Sequence, residues 1–250
     1  SGDNIDLRQV ASTGVQQYNG ATTLRGAYTT TNGAFGVDGA TTLASAVSVS
    51  TGSGAVAFTG GVSGANALTV TSSGATTYSG AVDIASLNQA GSGGTAINGG
   101  SVTTSGTQTY SGHVDLGNDA VLTGTTITLA NGADGAHALE IDGTALLTGA
   151  IGATTKLASL TLDGSATLNA GSIATTGNQQ YKGAVTLGRD HTLSTTTGGV
   201  AFDGALDGAH DLHVASTASG DVSFAGVGDS GQRFGNLTVD TAGTTTFNGS

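Results

Sequence analysis

The sequence predicts an all-β protein: a right-handed parallel β-helix, or β-solenoid, with coils of about 20–23 residues and roughly a dozen coils. Three observations predict it. A nine-residue phrase around one tyrosine and one glycine occurs three times, short alternating segments recur with a period near 21, and Gly, Asn and Asp separate them.

The phrase reads "QQYNGATTL" at 16–24, "QTYSGHVDL" at 108–116 and "QQYKGAVTL" at 179–187. Around the last two, residues 97–116 align with 168–187 at an offset of 71, pairing Asn98 with Asn169, Ser101 with Ser172, Gly106 with Gly177, Gln108 with Gln179 and Tyr110 with Tyr181. Tyr18 lies 92 residues before Tyr110, and the excess of 21 over the other interval marks 21 residues as a structural unit. An aromatic followed two residues later by Gly recurs at Phe58, Tyr78, Tyr181, Phe202, Phe224 and Phe247. A second phrase of the form "LTV" ends at Val49, Val70, Ile141, Leu162, Val214 and Val239. Two phrases thus share one short period across a single continuous segment, 1–250, with no separate catalytic domain.

Each unit reads locally as strand. "GAVAFTG" (54–60), "ALTVTS" (67–72), "SLTLDG" (159–164), "DLHVAS" (211–216) and "NLTVDT" (236–241) alternate apolar with polar residues and favour Val, Thr and aromatics. The turns between them carry "DG" at 38, 134, 142, 163, 203 and 207 and "NG" at 19, 32, 98, 131 and 248, residues that tolerate positive φ. No segment holds helical spacing, and Gly, Ser and Thr are poor in helix interiors. Antiparallel sandwich modules repeat at about 100 residues rather than 21, and no six-residue apolar period suggests a left-handed hexapeptide helix. Right-handed winding is the rule for parallel crossovers. Alternation turns Gln179 and Tyr181 inward and Gln180 and Lys182 outward, with Gly183 at a close approach between coils. Phe202, Phe224 and Phe247 extend a buried aromatic row along the same wall.

Composition bounds the function. The 44 Gly, with only 9% charged and 4% aromatic residues, are unlike an ordinary enzyme, whereas 37% hydrophobic residues supply a seam to bury. A formal charge of −11 argues against nucleic acid as a partner. The absence of Cys removes disulfides and thiolate metal sites, and no apolar run reaches the roughly 18 residues of a membrane-spanning helix. The opening "SGDNIDLRQV" has neither a basic nor an apolar leader region, and the chain stops at "GTTTFNGS" within a repeat phrase; an interior segment is expected, continued by adjacent coils or by end-to-end self-association.

"TTYSGAV" (76–82), "GALDGAHDLHV" (204–214), "ALTVTSSGATTYSG" (67–80) and "FGNLTVDTAGTTTFNG" (234–249) resemble the repeats of large secreted bacterial adhesins, the filamentous-haemagglutinin-like and β-strand-repeat surface proteins. The resemblance covers nearly the whole chain and implies an extracellular β-helix on the bacterial cell surface, acting as stalk, fibre, biofilm matrix or adhesive surface, with a host-surface or glycan ligand. The "NPNG"-type motif of the secretion domain in such proteins is missing from this proline-free chain.

β-Helices also carry polysaccharide-active enzymes. Such sites cluster carboxylates, alone or with basic groups, on adjacent coils. Lys156, Lys182, Arg189 and Arg233 fall at unrelated repeat positions, and Asp203, Asp207 and Asp221 read as corner residues. His210, Asp211 and His213 form the one dense polar triplet, read as surface histidines with His213 outward, while His113, His137 and His191 stand isolated. No catalytic, cofactor-binding or metal residue is assigned, and weak Ca²⁺ binding by stacked corner Asp is the one cofactor left open. Phosphate-loop signatures are missing. The outward residue of the "LTV" slot reads Ser48, Thr69, Glu140, Thr161, His213 and Thr238, where a charge and an imidazole would interrupt an ice-binding threonine array. Asn236 and Asn248 match the glycosylation sequon and read as corner residues. The expected role is structural or adhesive and not enzymatic, with a polysaccharide-active enzyme or an ice-binding solenoid as the alternatives.

Overall fold

The computed structural model describes residues 5–228 and 234–248. Among these residues the regular structure is all strand, in parallel pairs stacked as a β-solenoid of about 12 turns. Contacts divide the chain into two compact units, Ser1–Thr126 and Ile127–Ser250.

In the first unit every coil contributes a strand to each of three faces. On the first face, 22–24, 41–43, 62–64, 82–84 and 102–104 pair successively in parallel; on the second, 26–28, 47–49, 68–70, 87–89 and 108–110; on the third, 16–18, 35–37, 56–58, 76–78, 95–97 and 114–116. Alternation drives this closure, because inward side chains such as Leu24, Leu43 and Val62 fill the interior while Thr23, Thr42 and Ser63 face outward. Fully burying each Leu or Val contributes about 1.5–3 kcal/mol.

The second unit is also three-faced. Residues 139–141, 160–162, 179–181, 200–202, 222–224 and 245–247 pair in order on one face, 145–147, 166–168 and 185–187 on another, and Ser172–Thr175, His191–Thr195, Leu212–Ser216 and Leu237–Thr241 on the third. Phe202, Phe224 and Phe247 stack one rung apart, with centroids 5.3 and 5.1 Å apart and planes within 9° and 13°, but the expected buried row ends at Phe224, since Phe247 is 58% exposed. Tyr181 heads this column 4.6 Å from Phe202.

Three expectations need correcting. Coils are not confined to 20–23 residues: Ile5 pairs with Thr22, a step of 17, and Thr22 with Thr41, a step of 19. The corner from Leu7 to Val10 spans three residues where that from Leu43 to Val49 spans six, so corners rather than strands absorb the difference. The aromatic and "LTV" phrases are also not separate slots in the second unit, because Leu162 pairs with Tyr181 on the same face. Glycine at "NG" and "DG" corners serves two needs rather than one. Gly132, Gly135, Gly143 and Gly208 have positive φ, whereas Gly39, Gly164 and Gly204 do not, and a Cβ at Gly164 would lie 2.3 Å from the Gly143 carbonyl oxygen. Close rung-to-rung approach therefore selects glycine at those corners.

The recurring phrase has a physical cause beyond inward packing. Gln179 and Tyr181 are both fully buried, and the Tyr181 hydroxyl donates to Gln179 Oε1 at 2.9 Å. The Gln179 amide donates to the Ile173 carbonyl at 3.4 Å on its own coil and to the Ser194 carbonyl at 2.9 Å on the next. Gln108 does the same with Val102 and Thr123, both at 2.8 Å, and Tyr110 binds its Oε1 at 2.9 Å. Gln16 repeats the pattern with Val10 at 3.3 Å and Thr29 at 2.8 Å. Each phrase is a brace that binds strand carbonyls on two rungs. In the first unit one copy, 16–18, lies on the third face and the other, 108–110, on the second, so the brace is not tied to one wall.

Candidate functional site

Corner carboxylates and amides are occupied by the rung that follows them. Asn32 Oδ1 accepts the Ser53 N–H at 3.0 Å, Asn178 Oδ1 accepts Gly199 N–H at 3.0 Å, and Asp190 Oδ1 accepts Asp211 N–H at 3.0 Å. Asp134 Oδ1 accepts two N–H groups, from Thr154 and Thr155, at 3.1 and 3.2 Å. A corner breaks the parallel ladder and frees an N–H, which the Asx side chain one coil earlier captures. The sequence carries the signal as Asn or Asp about one coil before a strand entry, a spacing that reading for local turns does not register.

The suspected acidic set does not converge. Asp221 Oδ1 accepts the Thr244 N–H at 2.8 Å at a strand entry, while Asp203, within the strand Val200–Asp207, accepts at Oδ2 from Gln180 Nε2 at 3.0 Å. Asp207 is paired with Thr186 on a different face. Among the basic groups, Lys182 lies 2.7 Å from Asp163, whose hydrogen bond holds its ammonium pKa above the usual value, and Lys156 donates to Thr196 at 2.9 Å. Arg189 lies beside the Gly171 corner, and Arg233 is outside the described residues.

The histidines depart most from expectation. His213 does face outward, but its Nε2 sits 2.8 Å from Asp240 Oδ2, and His210 Nδ1 lies 3.5 Å from Asp190, so neighbouring rungs supply partners to both. Asp211 accepts the Asn236 N–H at 2.7 Å and its side-chain amide at 3.2 Å; these bonds, with His210 nearby, hold its carboxyl below the usual range. Asp190, Thr192, Asp211, His213, Asn236 and Thr238 border a shallow groove of about 300 Å³. His113 Nε2 lies 3.8 Å from Asp115. His191, isolated in the sequence, is a core residue, 3% exposed.

Among the described residues no three His, Asp or Glu side chains converge as a metal-ligand set. A second groove, of about 340 Å³, is bordered by Asn178, Gln180, Asp221 and Ser223. The first three of these side chains are already engaged by Gly199, Asp203 and Thr244. The outward "LTV" residues do not form one array either. Ser48 and Thr69 adjoin on the second face of the first unit, while in the second unit Glu140 and Thr161 adjoin on one face and His213 and Thr238 on another. Of the sequons, Asn236 is held by Asp211, and Asn248 donates its N–H to the Phe224 carbonyl at 2.8 Å, with Gly249 and Ser250 outside the described residues.

Stacked parallel coils with braced interiors and corner side chains committed to the adjoining rung define a β-solenoid repeat protein. Compared with known proteins, the chain matches no family model, no curated protein and no solved structure.

Proposed function

We propose that the chain is a structural and adhesive segment of a bacterial cell-surface or matrix fibre, working outside the cell. The observation that carries this reading is the use of surface polar groups: Asn32, Asn178, Asp190, Asp211 and Asp221 each hold a main-chain N–H of the next rung instead of converging around a reacting bond. The likeness of the repeats to filamentous-haemagglutinin-like adhesins supports it further. On this reading the partners are adjacent coils of a longer chain or other copies, with a host-surface or glycan ligand, and neither nucleic acid, membrane insertion nor a cofactor takes part.

Electron microscopy of the purified protein tests the reading directly: rods or filaments are expected, and compact globular particles would overturn it. Chelation with EDTA is expected to leave the thermal midpoint unchanged. A midpoint that falls on chelation and recovers with Ca²⁺ would establish a structural cation instead. Turnover of a glycan, lost in Asp211→Asn or His213→Ala, would replace the structural reading with an enzymatic one.

A further inference from the structure

His191 opens the strand His191–Thr195 on the third face of the second unit, with its side chain directed inward. Its register partner on the next rung is Leu212, followed by Leu237, so a histidine heads a column of leucines. Neither ring nitrogen is in hydrogen-bonding geometry with a partner. The main chain around it is pinned, since its N–H donates to the Asp211 carbonyl at 2.9 Å and the Asp190 carboxylate caps the Asp211 N–H at 3.0 Å. The duplication supplies an internal comparison: at the offset of 71 the matching residue is Ala120, preceded by Asp119 as His191 is by Asp190, and itself 2% exposed. An apolar residue therefore serves this corner in the sister copy, and burying an unpartnered imidazole here costs stability.

We propose that His191 is an acid-operated release point, at which uptake of a proton opens the third face of the second unit at 191–195 and at the strands paired with it, Ser172–Thr175 and Leu212–Ser216. The imidazolium would carry two donors into a core position that offers no carboxylate. Arg189 and Asp190 share its corner, Asp207 lies at the end of the preceding face, and His210 and Asp211 occupy the corner of the next rung; 169–172, on the rung before, hold no ionisable side chain. Asp190 and Asp211 are exposed and already committed to N–H groups of the next rung, which keeps them from turning inward to neutralise the ring. Burial, with the Arg189 charge acting in the same direction and its main chain partly opposing, lowers the imidazole pKa from 6.5 to about 4. The unfolded chain thus binds the proton more readily than the folded one, and stability is lost as pH falls from about 6.5 to about 4.

The test compares urea unfolding of the wild type, His191→Leu and His191→Ala between pH 7 and pH 4, with hydrogen exchange, corrected for intrinsic rate, at 172–175, 191–195 and 212–216. The alanine variant guards against overpacking by leucine. Over that window the wild-type unfolding constant should rise on the order of a hundredfold more than that of either variant. Faster exchange at mild acid should be confined to 191–195 and the two strands paired with it, 172–175 and 212–216, and be absent from the variants. Variants that keep the wild-type pH dependence, or acid-induced exchange that begins elsewhere in the chain, would overturn the proposal.

Discussion

Replacing Tyr181 by alanine should destabilise the second unit by about 3–5 kcal/mol, the range for truncating a large buried aromatic. Two losses combine. The ring is fully buried and stacks on Phe202 at 4.6 Å, so its removal opens a cavity at the head of the aromatic column. The hydroxyl also disappears from Gln179 Oε1, leaving a buried acceptor without its donor. Tyr181→Phe separates the two effects: it keeps the stack and removes the hydrogen bond, for an expected cost of about 1–3 kcal/mol. Denaturant midpoints at constant m measure both, and the exposed Thr186→Ala serves as a control expected within about 0.5 kcal/mol of wild type. A Tyr181→Phe variant as stable as wild type would show that the brace contributes nothing beyond packing.

Glycine offers a second large effect with an internal contrast. A Cβ at Gly183 would lie 2.3 Å from the Gly164 carbonyl oxygen and 2.4 Å from its carbon, both main-chain atoms of the adjoining rung that have no free rotation. Gly183→Ala should therefore cost about 3 kcal/mol or more, at the upper end of overpacking penalties. At Gly94 a Cβ would meet the His113 carbonyl oxygen at 3.5 Å, an ordinary contact, and the residue has no positive φ. Gly94→Ala is expected to be neutral or to stabilise by a few tenths of a kcal/mol, because it narrows the unfolded ensemble. Thermal melts of the two variants decide the matter; equal midpoints would mean that rung spacing gives way where the geometry says that it cannot.

The period, the strand segments and the stacking of Phe202, Phe224 and Phe247 were legible in the sequence, because alternation and a spacing near one coil are local signals repeated many times; the exposure of Phe247 was not. Alternation separates inside from outside but does not say which of three faces a strand joins. For that reason Ser48, Glu140 and His213 looked like members of one array when they belong to three. Tyr181 could be turned inward from pattern alone, whereas the work of Gln179 could not, since its partners lie six residues before it and fifteen after. His191 escaped for a different reason. It follows the polar corner of Arg189 and Asp190, and composition there reads as solvent-facing until the register with Leu212 is known. The partners of the corner Asp and Asn were hidden on the same ground, because these side chains serve N–H groups a full coil away that no short window contains.

The ladder bonds within each unit, such as Gln179 N–H to the Gly199 carbonyl at 3.0 Å and Val200 N–H to the Asp221 carbonyl at 3.0 Å, point from one rung to the next. Tension applied along that direction loads them end-on, so a rung would peel away before its neighbours feel the strain. Each peeled rung of some 20 residues releases about 70 Å of slack in exchange for the roughly 4.8 Å it occupied. A unit under pull would therefore lengthen in steps, shedding work coil by coil as a tether does when flow drags on the body it holds.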